Sequence, residues 1–347
     1  MMRKIRHFCL LFLLFESFFV KGQDPSFSQF YLNQLYFNPA FCGLSRGLST
    51  SFTHRILWPN LPGKFNTSKF SADIDISNNT GLGGVGIIVI SDIEGNKFIK
   101  TNTFGIPFTS RVKLSDKSIV QFGISTSVIY KSINWEKFVF GDQLDPVDGI
   151  ADPSNASVPF HSSMIFPDFG TGFVYEYRNA PFKPTQRKTY MIKFGIAANH
   201  IFQPDYSFLN ASSKLPIKWV GHINGEIPLI NNTDLIIAPA FIFEKQKSMK
   251  TMFFGSNALW RNLFVGAWYR AYTNVDALTF VAGLKFGTLT KSYISYSHDF
   301  TLSKLISGTG GSNEINLTYI IDEKLIYALG LGNKKKPRAF VEHCAEF

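Results

Sequence analysis

Short stretches of alternating apolar and polar residues recur along this chain, and no stretch after residue 22 is apolar for long enough to form a membrane-spanning helix. Successive side chains of a strand point to opposite faces, so this alternation predicts strands with one apolar and one polar face. The pattern is strongest in residues 44–56, 120–131, 218–227, 278–286 and 314–319. One face therefore suits lipid and the other suits a wet interior.

The composition favours a membrane barrel over a soluble domain. Charged residues make up only 17% of the chain and aromatic residues 16%, with 36 Phe and 27 Gly. A transmembrane β-barrel reconciles many aromatic residues with the lack of helical spans, because only every second residue of its strands faces lipid. The barrel should be closed, since an open sheet edge in lipid leaves unpaired backbone groups. A soluble β-sandwich is the alternative fold that the pattern leaves open.

Turn signals divide the chain into about fourteen strands, an even number as in single-chain bacterial barrels. Besides the alternating stretches, we predict strands at 65–76, 82–91, 102–110, 170–177, 191–200, 234–243, 248–258, 262–272 and 292–300. Most connections are short, whereas residues 132–169 form a long one that contains Asp142, Asp145, Asp148 and Asp152. Bacterial barrels have short periplasmic turns and longer outer loops, so we expect this connection to be extracellular.

The two ends of the chain differ from the predicted barrel, which we place at 44–321. Residues 1–22 predict a signal peptide, because Arg3, Lys4 and Arg6 precede an apolar run that is too short to span a bilayer. Its removal takes four basic residues and one acidic residue from the formal charge of +10 and leaves about +7. Because this charge is scattered and the chain is exported, nucleic acid is not an expected partner.

The segments that flank the barrel, residues 23–43 and the tail 322–347, are both expected in the periplasm. They contain the two cysteines of the mature chain, Cys42 and Cys344. The sequence leaves open whether these cysteines form a disulfide, but so few cysteines exclude a scaffold that is built on disulfides.

No combination of residues points to catalysis, a cofactor or a metal. The histidines are scattered singly, and the chain has no G-x-S-x-G motif. The stretch GLGGVG at 81–86 matches a dinucleotide motif, but the apolar residues after it continue as a strand, so we expect a turn and close packing there. Asp142, Asp145 and Asp148 lack the spacing of an EF-hand loop. We therefore predict a protein without enzymatic activity, cofactor or metal.

The segment 23–43 carries side chains at helical spacing, namely Phe27, Phe30, Tyr31, Gln34 and Leu35. Asn38 and Pro39 end any helix there, because a residue before proline disfavours helical geometry. A short periplasmic helix of this kind has two roles that the sequence does not separate. It is either a stopper for its own barrel or a docking segment for a partner.

Six motifs follow one another along the mature chain: QDPSFSQFYLNQLYFNPAFCG at 23–43, HRILWP at 54–59 with LPG at 61–63, FGDQ at 140–143, WYR at 268–270, YSHD at 296–299 and GSNEINLTY at 311–319. Together they resemble the PorP/SprF family of outer-membrane proteins of the Bacteroidota type IX secretion system. The chain departs from the family pattern at Leu57, where a Gln is common, at Asn313, where a His is common, and in the last four residues, which lack the usual Pro and basic charge.

The resemblance implies an outer-membrane barrel that supports secretion or surface anchoring of a cargo adhesin, with a link to gliding motility in part of the family. The implied partners are a type IX cargo protein with a C-terminal sorting domain, the type IX machinery or a peptidoglycan-binding lipoprotein, and outer-membrane lipid. Candidate partner-binding residues lie in the first and third motifs: Phe27, Gln29, Phe30, Tyr31, Asn38, Pro39, Gly141, Asp142 and Gln143. The alternative function is an outer-membrane porin or uptake channel, which an open lumen would favour.

Overall fold

The computed structural model describes residues 24–322, apart from 46, 78–80, 96, 146–148, 151–152, 156–161, 180–188, 209–211, 230–234, 273–276, 288–289 and 303–305. The predicted signal peptide at 1–22, Cys344 and all but the first residue of the predicted tail lie outside the described residues. No helix among the described residues is both long and apolar enough to cross a membrane.

Fourteen antiparallel strands close into one barrel, as the alternation predicted. Each of these strands pairs with the next one in the wall, and the first pairs with the last to close it, from Gly47 opposite Asp322 to Leu57 opposite Ser312. The strands are β1 Gly47–Leu57, β2 Phe65–Asp75, β3 Leu82–Glu94, β4 Ile99–Ser115, β5 Ser118–Ile133, β8 Ser163–Arg178, β9 Met191–Asn199, β10 Lys218–Pro228, β11 Leu235–Gln246, β12 Met249–Trp260, β13 Leu263–Tyr272, β14 Ala277–Phe286, β15 Thr290–Thr301 and β16 Ser312–Asp322. Two further strands, β6 Leu144–Asp145 and β7 Gly149–Ile150, form a separate hairpin.

The outer face of the wall is apolar and the inner face is largely polar. In β5, Phe122 and Ile124 are 53% and 58% exposed, whereas Gln121 between the strand's outward residues is fully buried. The same division holds in β16, where Ile315 and Leu317 face outward and Asn316 is buried. The alternation seen in the sequence is therefore the two faces of a membrane wall.

The connections at the two ends of the barrel differ in length. The end at which β1 begins has the two-residue turns 116–117 and 261–262, and its longest connection is 179–190. The two longest connections between wall strands, 134–162 and 200–217, lie at the opposite end. We call these the periplasmic end and the outer end, because bacterial barrels have short periplasmic turns. The long connection is shorter than predicted, since β8 begins at Ser163 and not at residue 170. Pro167 lies within this strand, opposite Val128.

The lumen plug as candidate functional site

Residues 24–44, hereafter the plug, lie inside the barrel. They form three short helical turns, Phe30–Leu32, Gln34–Phe37 and Pro39–Phe41, where the spacing had predicted one helical stripe. Asparagines separate the turns. Asn33 Nδ2 donates to the Gln29 carbonyl at 2.9 Å, and Asn38 Oδ1 accepts from Ala40 N at 2.9 Å. Both bonds satisfy backbone groups that a continuous helix would have paired itself.

The plug runs along the barrel from the outer end to the periplasmic end. At its start, the Asp24 carboxylate lies 2.8 Å from Nε2 of His200, which follows β9 at the outer end. At its other end, Gly43 N donates to Asp73 Oδ2 at 2.8 Å and the Gly43 carbonyl accepts from Arg111 Nη2 at 2.6 Å. We expected this segment in the periplasm, whereas the structure places it in the lumen. The aromatic stripe finds apolar partners on the inner wall and is buried there.

A buried charged cluster holds the first part of the plug. The Glu314 carboxylate accepts from the backbone nitrogens of Ser28 at 2.7 Å and Gln29 at 3.1 Å. Arg55 pairs with Glu314 at 3.0 Å and with Asp299 at 2.8 Å, and all three side chains are at most 3% exposed. The Ser28 hydroxyl donates to Asp299 at 2.7 Å and accepts from Arg55. Plug and wall therefore share one hydrogen-bonded ionic network.

Aromatic packing holds the middle of the plug. The Phe30 ring meets Trp268 edge-on at a centroid distance of 5.1 Å and lies 6.2 Å from Phe253, both on the inner wall. Tyr31 stacks on Trp268 at 5.3 Å with an interplanar angle of 20°. Phe37 contacts Phe30 from within the plug at 6.4 Å. Aromatic pairs of this geometry each contribute about 0.5–1.5 kcal/mol beyond the area that they bury.

A notch of two glycines in the wall receives the last turn of the plug. Gly123 of β5 and Gly172 of β8 are partners in register. A Cβ at Gly123 would lie 2.5 Å from the Pro39 carbonyl carbon and 2.6 Å from Cα of Ala40. A Cβ at Gly172 would lie 2.9 Å from Cγ of Asn38. Any side chain at these wall positions would occupy the space of the plug.

The GLGGVG stretch provides a second close approach. Gly84 lies in β3, and a Cβ there would be 2.5 Å from Cα of Gly43. Gly43 itself has a φ of 72°, the left-handed geometry that favours glycine. At Gly84 the expected close packing is thus between wall and plug, whereas Gly86 packs against Ala72 and Asp73 of the neighbouring wall strand.

The start of the plug is fixed by charges at the outer end, which we call the outer latch: Asp24, His200, Asp168 and Lys218. His200 Nδ1 lies 2.9 Å from Asp168 Oδ2, and Lys218 Nζ lies 3.9 Å from Asp24 Oδ2 and 3.1 Å from Glu244. Burial alone lowers the pKa of His200, but the two carboxylates outweigh this effect and raise that pKa to about 10. Burial alone raises the pKa of Asp24, but His200 and Lys218 hold it well below its usual range. His200 is therefore a cation at neutral pH and pairs with Asp24.

The nine candidate partner-binding residues fall into two places. Six belong to the plug and are buried in the lumen: Phe27, Gln29, Phe30, Tyr31, Asn38 and Pro39. Gly141, Asp142 and Gln143 form a short helical turn in the long outer connection, where Gly141 and Asp142 are exposed. Asp142 accepts from Asn155 N at 2.6 Å and Ser154 Oγ at 2.9 Å, so its carboxylate braces the loop. The structure does not bring the two groups together.

The wall residues that hold the plug were not singled out from the sequence, although the motifs contain them. Arg55 comes from HRILWP, Trp268 from WYR, Asp299 from YSHD and Glu314 from GSNEINLTY. Each occupies an inward position of its strand. In each motif, these residues alternate with the apolar residues that face lipid, and this alternation could have identified them as facing the lumen.

The Cys42 thiol is buried and lies 3.6 Å from the Pro107 carbonyl. Burial is the main cause that raises the pKa of this thiol well above its usual range, so the sulfur stays protonated at neutral pH. Within the described part of the chain, no three His, Cys, Asp or Glu side chains converge as metal ligands would.

The chain is similar to a known protein family and to several solved membrane barrels. A family model described as type IX secretion system membrane protein PorP/SprF matches residues 19–319. Similar solved structures include the toluene transporter TbuX of Ralstonia pickettii, with 11% identity, a TM-score of 0.45 and coverage of 82% of this chain and 91% of that one. A FadL homologue of Pseudomonas aeruginosa has 11% identity, a TM-score of 0.41 and coverage of 82% and 92%. The CymD monoaromatic hydrocarbon channel has 12% identity, a TM-score of 0.44 and coverage of 86% and 93%.

No curated protein matches the chain significantly. The family match spans most of the chain and ends within β16, the last strand of the barrel. The closed wall has an apolar outer face along its strands, as an outer-membrane protein requires. The chain therefore belongs to the PorP/SprF family of type IX secretion membrane proteins and is an outer-membrane β-barrel.

Proposed function

We propose that this protein is a plugged barrel that supports secretion or cell-surface anchoring of one type IX cargo adhesin and has no enzymatic activity. The observation that carries the proposal is the filled lumen. The plug is tied to the wall at the outer end by Asp24, in the middle by Phe30 and at the periplasmic end by Gly43. A wall that encloses its own chain in this way serves as a platform for other proteins.

The alternative of a porin or uptake channel requires a continuous path through the lumen. The plug residues along that path are buried, and Phe27, Gln29 and Asn38 have no exposed surface. The expected result in planar bilayers is therefore no steady single-channel conductance from the full-length chain. Steady conductance with the plug in place would support the channel instead.

In this proposal, the cargo contact lies at the outer end, on the hairpin β6–β7. Leu144 and Ile150 face each other in this hairpin and are 57% and 64% exposed, outside the strands that cross the membrane. The turn of Gly141, Asp142 and Gln143 precedes the hairpin directly, and Asp142 braces it. An exposed apolar pair on a braced loop suits an apolar patch of a sorting domain. The secretion machinery or a peptidoglycan-binding lipoprotein would meet the periplasmic end.

The test compares a deletion strain with strains that carry loop variants. In the deletion strain, one adhesin should no longer reach the cell surface, while general type IX secretion continues in part. A motility defect in that strain would connect this adhesin to gliding. Leu144→Asp with Ile150→Asp should also lose display of that adhesin while the barrel still assembles. Leu144→Met with Ile150→Val is the matched control and should retain display. Unchanged surface display of all type IX cargo in the deletion strain would refute the proposal.

A further inference from the structure

A cavity of about 80 Å³ remains between the wall and the periplasmic half of the plug. Plug residues from Tyr31 to Leu44 line one side, and residues of β1, β2, β9 and β16 line the other. About 10–15 Å³ of such space holds one water molecule, so the cavity holds a few waters or one small ion and no peptide. Two of its lining residues are lysines, Lys69 of β2 and Lys193 of β9.

Both lysines are buried without a carboxylate partner. Lys69 and Lys193 are 1% and 2% exposed. Within the described part of the chain, no carboxylate oxygen lies within 4.0 Å of either ammonium group, and Lys69 Nζ has a single hydrogen bond, to Ser71 Oγ at 3.4 Å. Glu176, the neighbour of Lys193 in register, is paired with Arg178 at 2.5 Å. A buried ammonium group is unfavourable unless an anion or several acceptors compensate it.

Hydroxyl groups line the same cavity. Ser45 Oγ is buried and has no hydrogen-bond partner among the described residues. Ser71 accepts from Lys69, which leaves the proton of its hydroxyl group for a ligand. The one carboxylate in the lining, Asp73, accepts from the Gly43 backbone nitrogen at 2.8 Å. Two lysine amino groups and several hydroxyl groups face one carboxylate in this lining, so the cavity has unused hydrogen-bond donors.

We propose that this cavity binds one small inorganic oxyanion of the phosphate or sulfate class. Two ammonium groups and nearby hydroxyl groups are the donors that bind such an ion, since charge-assisted hydrogen bonds to its oxygens are short and strong. The ion compensates Lys69 and Lys193 at once. It also joins the wall strands β2 and β9 through one ligand beside the plug. This binding site is independent of the cargo contact at the outer end.

The test is a calorimetric titration of the full-length barrel in detergent, prepared without phosphate or sulfate, with sodium phosphate at low ionic strength. We expect saturable binding of one phosphate per barrel, with competition by sulfate. Lys69→Met and Lys193→Met should each weaken binding by about tenfold or more, because each removes one charged donor. Lys131→Met removes a lysine that lies outside the cavity beside the Tyr206 ring, and it should bind phosphate as the original chain does.

Two results would overturn the proposal. One is the absence of saturable phosphate binding by the unaltered barrel, which decides the question even if a lysine variant fails to fold. The other is equal binding by the original chain and both folded lysine variants, checked by heat-modifiable gel migration. A further arm adds phosphatidylglycerol vesicles. Vesicle binding that needs both lysines, with no binding of free phosphate, would place the phosphate on a lipid and reject the free ion.

Discussion

The glycine notch allows the plug to be displaced by a change in the wall alone. Gly123 has no positive φ, so alanine fits its backbone, but the added Cβ would lie 2.5 Å from the Pro39 carbonyl carbon. Ordinary van der Waals contacts between heavy atoms begin at about 3.4 Å. The 2.5 Å between the new Cβ and the Pro39 carbonyl carbon is shorter by about 0.9 Å, so the plug must move away from the wall by about that distance. Because both contacted atoms belong to the plug backbone, no side-chain rotation relieves the overlap.

The size of the effect follows from this overlap. Overpacking by one methyl group typically destabilises a packed state by about 1–3 kcal/mol. If the plug leaves the notch while the barrel stays closed, this energy raises the population of the undocked plug by about 5- to 140-fold. The Gly123→Ala barrel should therefore show conducting events in planar bilayers and faster proteolysis of residues 24–44.

Gly221→Ala is the matched control, because a Cβ at Gly221 of β10 meets no atom within 4 Å. Both variants add one methyl group to a strand of the same wall. We expect the control to show no conducting events in planar bilayers and the same protease resistance as the original chain. If Gly123→Ala were equally silent and equally resistant, the notch would not hold the plug, and the role given to the two glycines would be wrong.

Three further perturbations test the other attachments of the plug. Arg55→Met should destabilise the barrel by about 3–5 kcal/mol in urea unfolding, because Glu314 then stays buried without its cation, whereas Asp299 keeps Arg270 at 3.2 Å. Lys113→Met, which removes an exposed ion pair, should change stability by no more than about 1 kcal/mol. Phe30→Ala should weaken plug docking by about 3–5 kcal/mol, seen as faster proteolysis, and unchanged proteolysis would contradict the packing argument. The raised pKa of His200 means that its pairing stabilises the plug fully below about pH 6.5 and is lost as pH rises towards 10. Protease resistance should fall over that range, and His200→Ala should abolish this pH dependence.

The wall of the barrel was predictable because its two faces meet different solvents. Lipid outside and polar groups inside impose a period of two, and this period appears directly in residues such as Phe122, Gln121 and Ile124. The exception was the start of β8. The predicted strand started at residue 170, but in the structure it starts at Ser163 and continues through Pro167, which has no N–H group to pair. A local signal of this kind does not include the partner strand that holds the segment extended.

The plug was predictable only in part. Its helical spacing picked out Phe27, Phe30 and Tyr31, which are buried, but Gln34 and Leu35 on the same stripe are only half-buried. Ser28, Gln29 and Asn33 lie off that stripe and are fully buried. Its location was not predictable, since the partners of Phe30 and Ser28 are Trp268 and Glu314, more than 200 residues further along the chain. The spacing of apolar residues predicts that one face of a segment is buried, but it does not predict which residues pack against that face. The same limit applies to Lys193, which is buried in a cavity that plug residues also line.

Barrel closure and plug docking depend on the same late strands. Ser28 N bonds to Glu314 across 286 residues of chain, and β1 closes the wall against the strand that carries Glu314. Contacts of such separation form late, because a long loop must close before they are gained. Arg55 lies in β1 and bonds to Ser28 of the plug and to Asp299 and Glu314 of the wall. The same side chain therefore holds both the plug and the seam where β1 meets β16. A barrel that closed without its plug would leave Glu314 without two backbone donors. The plug is therefore part of what balances the charges of the seam, and closure of the wall should be weaker without it.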